Sequence, residues 1–249
     1  MTRLDSPWRG RFQTVLRLVY PPLCLGCGGQ VEDEFGLCGP CWRDMRFIGG
    51  LVCDLCGTPL PGDDDGHPAQ CDECLATVRP WARGRAALLY RDMGRRLILR
   101  LKHGDRHDLA VPAGRWMARA VRPILQEGAI VAPIPLHWSR LLRRRYNQAA
   151  LLSAALSAEI GAEHVPDLLR RVRRTRSLDG LDRRTRFDML RDGLKVAPRW
   201  HAHLAGRPVL LVDDVMTSGA TFSAAAQACI AAGAAEICVV SLARVAKEP

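Results

Sequence analysis

From residue 86 onward the apolar positions follow two periods. Residues 86–90, 129–134, 208–215 and 236–242 are short, almost continuously apolar runs, the signature of strands buried on both faces, and a further strand is predicted near 164–170. Residues 94–102, 109–125, 147–160 and 220–232 instead repeat apolar positions three and four apart, which places them on one face of a helix. Gly233, directly after the last of these, suits the left-handed backbone that closes a helix. Strands alternating with helices of this length predict an α/β fold, a mostly parallel sheet flanked by helices. An Arg-rich stretch running to residue 192 fits neither period.

Residues before 80 read differently. They hold glycines, prolines and cysteine pairs, with an acidic turn at 61–66 and little periodic apolar pattern. The change divides the chain into a small N-terminal domain, residues 1–80, and an α/β domain, residues 81–249. Phe12, Val15, Leu16, Leu18 and Val19 have helical spacing, so residues 1–20 are expected to begin with a short amphipathic helix; Arg11 and Arg17 break the apolar core a signal peptide needs. No apolar run reaches the roughly 18–20 residues of a membrane helix, so no span is expected and the expected location is cytoplasmic.

At 249 residues and 48% hydrophobic content the chain can bury a core, but residues 1–80 hold too few apolar side chains to fold by burial alone. What they hold is cysteine. Eight of the ten form C-x2-C pairs: Cys24 and Cys27, Cys38 and Cys41, Cys53 and Cys56, Cys71 and Cys74. That spacing puts two thiolates on one tight turn, each able to reach an ion at about 2.3 Å, and two such knuckles complete a tetrahedron. Four knuckles predict two zinc ions, each saturated by sulfur and therefore structural, in a double zinc ribbon. Sequential pairing is the simplest arrangement, and the spacing also allows a cross-brace. Cys229 and Cys238 fall on apolar faces and read as core; His67, near the second set, reads as a loop histidine. Eight thiolates on two Zn2+ lower the formal charge of +10 to about +6, still basic enough to favour polyanionic partners.

The most informative run is Val209-Leu210-Leu211-Val212-Asp213-Asp214-Val215-Met216-Thr217-Ser218-Gly219-Ala220-Thr221: a buried strand, two carboxylates, a small-residue turn and a helix start. Ligands of open α/β sheets bind beyond the carboxyl ends of the strands, and a turn entering a helix offers backbone N–H groups to an anion at the positive end of the dipole. Thr217, Ser218, Gly219, Ala220 and Thr221 are thus expected to cradle a monophosphate, with Gly219 permitting close approach of the backbone. Asp213 and Asp214, beside an anion site, are expected to grip sugar hydroxyls. Ribose 5-phosphate has that arrangement.

This run resembles the phosphoribosyl-pyrophosphate loop of type I phosphoribosyltransferases, where four apolar residues, two acidic ones and a Thr/Ser/Gly-rich turn follow in this order. Other segments are similar to the ComF (competence protein F) family: Val131-Ala132-Pro133-Ile134-Pro135-Leu136-His137 with Arg140; Arg143-Arg144-Arg145-Tyr146-Asn147-Gln148; Leu99-Arg100-Leu101-Lys102-His103-Gly104-Asp105; and the four knuckles with Pro21-Pro22-Leu23-Cys24. The resemblance spans nearly the whole chain and implies a type I phosphoribosyltransferase fold behind a double zinc ribbon. It implies phosphoribosyl pyrophosphate with Mg2+ as ligand, and Lys102, Arg143 and Arg144 as residues that neutralise pyrophosphate. In relatives it implies the handling of incoming DNA in natural transformation, with single-stranded DNA and helicase-type competence proteins as partners. The chain departs from the family pattern at Arg145, in place of glycine, and at Leu178, in place of glutamine; both departures bear on turnover more than on ligand binding.

Three readings follow. The chain is a phosphoribosyltransferase linked to DNA uptake, a non-enzymatic adaptor that senses the ligand and binds single-stranded DNA, or a phosphoribosyltransferase of nucleotide metabolism unrelated to DNA uptake. In each, the Arg-rich residues 170–186 are expected to form a lid over pyrophosphate or a nucleic-acid contact.

Overall fold

A computed structural model describes residues 20–103, 106–136, 146–172 and 193–246. The expected N-terminal helix, apart from Tyr20, lies outside them, as do Arg143, Arg144, Arg145 and Leu178. The chain divides into two compact units, Met1–Met45 and Arg46–Pro249.

In the first unit, Leu23 and Gln30 bridge antiparallel on either side of the first cysteine turn. Helix α1, Gly39–Arg43, carries Pro40 in its first turn, where a missing N–H costs nothing, and buries Cys41.

The second unit contains the remaining cysteines and the whole sheet. Residues 46–48 lie along one edge of strand β1, Arg83–Leu89, with Phe47 bridging Leu88 antiparallel. A cysteine turn closed by the Val52–Pro59 bridge follows, and then helix α2, Asp72–Leu75. Helix α3, Asp92–His103, helix α4, Ala110–Val121, and strand β2, Ile130–Pro133, come next. Helix α5, Gln148–Ile160, leads into strands β3, Glu163–His164, and β4, Leu169–Arg171. Strand β5, Leu194–Val196, helix α6, His201–Leu204, strand β6, Val209–Met216, helix α7, Ala220–Ala231, and strand β7, Ile237–Arg244, complete the unit.

The main sheet has the order β1-β7-β6-β2-β3 with every pair parallel, as the alternating pattern predicts. All eight residues of β7 and the first four of β6 are buried, because crossover connections cover both faces of such a sheet. On one side α4 and α5 cross closely: a Cβ on Gly114 would sit 2.7 Å from Ala155 Cβ. On the other, Phe222 of α7 meets Trp81 edge-on at 6.3 Å, in a cluster that includes Cys53, Cys56 and Cys74.

The second cysteine turn is in backbone contact with β1. A Cβ on Gly57 would lie 2.6 Å from Ala86 N, and one on Gly84 would run into Leu55 O. Trp81 Nε1 donates to Leu55 O at 2.6 Å. Asp54 accepts from Arg85 at 2.7 Å and from Arg83 at 3.1 Å; burial pushes its carboxyl upward, but the two guanidiniums prevail and hold it below the usual carboxylate range.

One predicted strand is corrected. Residues 164–170 do not form one strand: β3 ends at His164, and β4 pairs antiparallel with β5 in a separate small sheet. Pro166, between them, has no N–H for a ladder. The three-residue β5 gives no periodic signal and was not predicted.

Candidate metal centres and anion site

The cysteines gather in sequence order. Cys24, Cys27, Cys38 and Cys41 form one set and Cys53, Cys56, Cys71 and Cys74 the other, all ligand atoms within 4.8 Å of one another in each. The sequential pairing is therefore the one observed. A tetrahedral zinc with Zn–S near 2.3 Å requires sulfurs about 3.8 Å apart. Cys27 and Cys38 Sγ are 3.7 Å apart, and Cys56 and Cys71 Sγ 3.6 Å. Backbone N–H groups point at the sulfurs, as thiolates require: Gly26 and Cys38 donate to Cys24 Sγ at 3.4 and 3.2 Å, and Gly29 to Cys27 Sγ at 3.5 Å. Burial opposes ionisation of Cys24, yet the amide donors outweigh it and bring its thiol down to about 6. Both sets fit zinc, which would hold together segments with little apolar core of their own. His67 is exposed and belongs to neither set, while Cys229 and Cys238 are buried, with burial pushing their thiols up to about 12 and about 11.

The second site lies where β6 gives way to α7. Gly219 caps the helix with φ 78°, the left-handed region that glycine enters without strain. Of the amides entering α7, Ala220 N reaches Ser218 Oγ at a long 3.4 Å; those of Ser218, Gly219 and Thr221 have no acceptor among the described residues. A turn presenting unpaired amides at a helix N-terminus is ready to take an anion.

Asp213 and Asp214 sit at the end of β6, partly buried. Burial, then the neighbouring charge of Asp214, pushes the Asp213 carboxyl up to about 7, although its Oδ1 accepts from Asp214 N at 2.8 Å. Lys102, in the last turn of α3, places Nζ 3.2 Å from Asp214 Oδ1. The segment that follows the undescribed residues 137–145 fixes this arrangement. Tyr146 donates its hydroxyl to Leu101 O at 2.5 Å and packs edge-on against His107 at 4.1 Å, while Asn147 caps α5 at Ala149 N and donates to Ile134 O at 3.1 Å.

The structure thus brings Lys102, Asp213, Asp214 and residues 217–221 of the expected site together; Arg143 and Arg144 lie outside the described residues. Four further charged residues stand by the site: Arg171, from the Arg-rich segment expected over pyrophosphate, and Arg79, Arg244 and Glu73, which sequence reasoning missed. Arg171 on β4 donates to Pro135 O at 3.4 Å, and its charge favours ionisation of Asp213. Behind the loop, Arg79 and Arg244 are almost fully buried, at 7% and 2% exposure. Arg79 Nη1 donates to Ser218 O at 2.7 Å; Arg244 Nη1 donates to Thr217 O at 2.5 Å, Met216 O at 3.2 Å and Val245 O at 2.6 Å. Glu73 joins them, Oε1 3.4 Å from Arg79 Nη2 and Oε2 2.9 Å from Arg244 Nη2. The one visible signal was a charged residue ending the apolar run of β7.

Residues 15–75 match the family described as double zinc ribbon domain. Competence protein F of Haemophilus influenzae is 29% identical over 227 residues, covering 89% of this chain and 96% of that protein. DNA utilization protein YhgH of Salmonella typhi is 30% identical over 234 residues, covering 91% of this chain and 99% of that protein. This chain belongs to the ComF family. Among solved structures, glutamine phosphoribosylpyrophosphate amidotransferase from B. subtilis aligns with 57% of this ComF-family chain and 30% of its own, at 17% identity and a TM-score of 0.39, a likeness too remote to bear on the site. Among the described residues no helix is long and apolar enough to cross a membrane.

Proposed function

We propose that this chain binds phosphoribosyl pyrophosphate with Mg2+ at the end of β6, and that this binding serves the handling of incoming DNA. The observation that carries the reading is the set of amides at Ser218, Gly219 and Thr221 that have no acceptor among the described residues, beside the Asp213–Asp214 pair. The amides and the hydroxyls of Thr217, Ser218 and Thr221 take the 5-phosphate. Asp213 and Asp214 take the ribose hydroxyls. Mg2+ would be held beside Asp213 and Asp214, chiefly through water and ligand oxygens, and would supply positive charge against the pyrophosphate. Lys102, with Arg143 and Arg144, neutralises the pyrophosphate. The chemistry this ligand offers is displacement of pyrophosphate from C1 by a nitrogen nucleophile through an oxocarbenium-like state, where positioning and charge stabilisation do most of the work.

Support for the DNA part comes from the relatives, whose names are competence protein F and DNA utilization protein, and from a basic charge that stays at about +6 once the two zinc sites are counted. The same facts favour a second reading, an adaptor that uses the pocket as a sensor while its arginines contact single-stranded DNA. Calorimetry with phosphoribosyl pyrophosphate and Mg2+ tests what both share. Saturable binding that disappears in Asp214→Asn is expected; absence of heat in the folded wild type would dismiss the pocket.

A further inference from the structure

Two arginines tie the anion loop to helix α2, which carries Cys74 of the second cysteine set. Arg79 and Arg244 each hold a loop carbonyl, Arg79 Nη1 that of Ser218 and Arg244 Nη1 that of Thr217. Glu73, next to Cys74 on α2, clasps both.

This arrangement decides where the loop amides point. A peptide unit is planar and trans, so its C=O and N–H face opposite ways. Thr217 O and Ser218 N belong to one unit; Ser218 O and Gly219 N belong to the next. With Thr217 O facing Arg244 and Ser218 O facing Arg79, the N–H groups of Ser218 and Gly219 turn away from the two guanidiniums and Glu73, and both lack an acceptor among the described residues. Space is closed on that side as well: a Cβ on Gly219 would sit 2.8 Å from Arg79 Nη1. Two guanidiniums this deeply buried need counter-charge, and Glu73 supplies one negative charge for two positive ones. Four thiolates on Zn2+ carry a net −2 and would supply the rest.

We infer that Arg79 and Arg244 are positioning residues that aim the loop amides at a phosphate monoester, and that the second metal centre holds them in place, so that this centre belongs to the ligand site. The inference rests on the anion reading of residues 217–221, and its test separates the two. In the full chain, Arg79→Met and Arg244→Met are compared with wild type, with Arg79→Lys, and with Arg115→Met as a control in an exposed ion pair. Two measurements need no ligand: the amide resonances of Ser218 and Gly219, and release of zinc to a chelator. The methionine variants are expected to move both resonances and to release one of two zinc equivalents roughly tenfold faster or more, as loss of a group that supports the surroundings of metal ligands does. The third measurement is calorimetry with phosphoribosyl pyrophosphate and Mg2+, where affinity is expected to fall at least about tenfold in Arg79→Met and recover in part in Arg79→Lys. Unmoved resonances with unmoved zinc release in folded Arg79→Met overturn the inference. Resonances that move while wild type binds neither phosphoribosyl pyrophosphate nor inorganic phosphate uphold the coupling and overturn the ligand. If Arg244→Met fails to fold, Arg79→Met and Glu73→Gln decide the matter.

Discussion

Lys102 Nζ lies 3.2 Å from Asp214 Oδ1, an ion pair that joins the end of α3 to the end of β6. Both side chains are largely shielded, at 18% and 13% exposure, so neither charge is well hydrated without the other. Lys102→Met is therefore expected to lower stability by about 1–3 kcal/mol, and the double variant Lys102→Met/Asp214→Asn to lose less than the sum of the singles. Urea unfolding of the four proteins checks this; strict additivity would show that the pair is not energetically coupled.

Pyrophosphate release with candidate nitrogen acceptors separates enzyme from adaptor. A signal above blank that Asp214→Asn abolishes supports turnover. Full binding without release in the presence of every acceptor supports the sensor, and it is the outcome that the departures at Arg145 and Leu178 favour.

Asp213 is expected to make the proposed ligand site pH-dependent, with a determinate sign. Its carboxyl is raised from 3.8 to about 7 by burial and by Asp214, so the folded state prefers the protonated form. The stability this contributes is present below pH 3.8 and is lost as pH rises to about 7. Asp213→Asn should accordingly be the more stable protein at pH 8 and lose that advantage toward pH 4. Ligand binding has the opposite slope, because ribose hydroxyls with Mg2+ favour the ionised carboxylate: wild-type affinity is expected to drop by up to roughly tenfold per pH unit below 7. Melting temperatures and calorimetry across pH 5–8 test both, and a flat affinity profile would remove Asp213 from the ligand.

Gly219 answers to two constraints at once. Its φ of 78° strains any L side chain, and a Cβ would press on Arg79 Nη1 at 2.8 Å and on Trp81 at 3.1 Å. Gly219→Ala is expected to cost about 1–3 kcal/mol and to weaken phosphate binding by more than the stability loss explains. Phosphate affinity equal to wild type, measured well below the melting temperature, would mean that the loop adapts.

The contrast between Gly219 and Arg79 shows what the sequence could reveal. Strand β6, the turn and α7 are contiguous, so buried run, acidic pair and glycine announce one another, and the C-x2-C pairs do the same for the metal sets. Arg79 and Arg244 act on the same loop from 139 and 27–28 positions away, as their bonds to Ser218 O and to Thr217 and Met216 O record. Their role depends on β7 ending beside β6 and on Cys56 and Cys74 standing behind both strands, long-range facts that no local period encodes. Tyr146 and Asn147 lie between these cases: the resemblance marked them, but their bonds to Leu101 O and Ile134 O emerge only from the fold.

The metal centres give the prediction with the widest reach. The sulfurs of each set lie within 4.8 Å of one another, with one pair in each at the tetrahedral distance, so elemental analysis is expected to find about two zinc ions per chain, and one or none would contradict the assignment. The two ions should not be equivalent in their effects. Cys53, Cys56 and Cys74 are packed in the same cluster as Val209, Leu211, Phe222 and Val239, so emptying the second set exposes the flank of the sheet, whereas the first set lies in a compact unit of its own. Progressive chelation followed by circular dichroism and limited proteolysis should therefore show a two-step response. Loss of one zinc leaves the melting transition of the α/β unit in place, and loss of the other lowers it by several degrees, as a change of 1–2 kcal/mol or more does in a domain of about 200 residues. A single concerted loss of both ions, with no intermediate, would mean that the two sets are stabilised as one body.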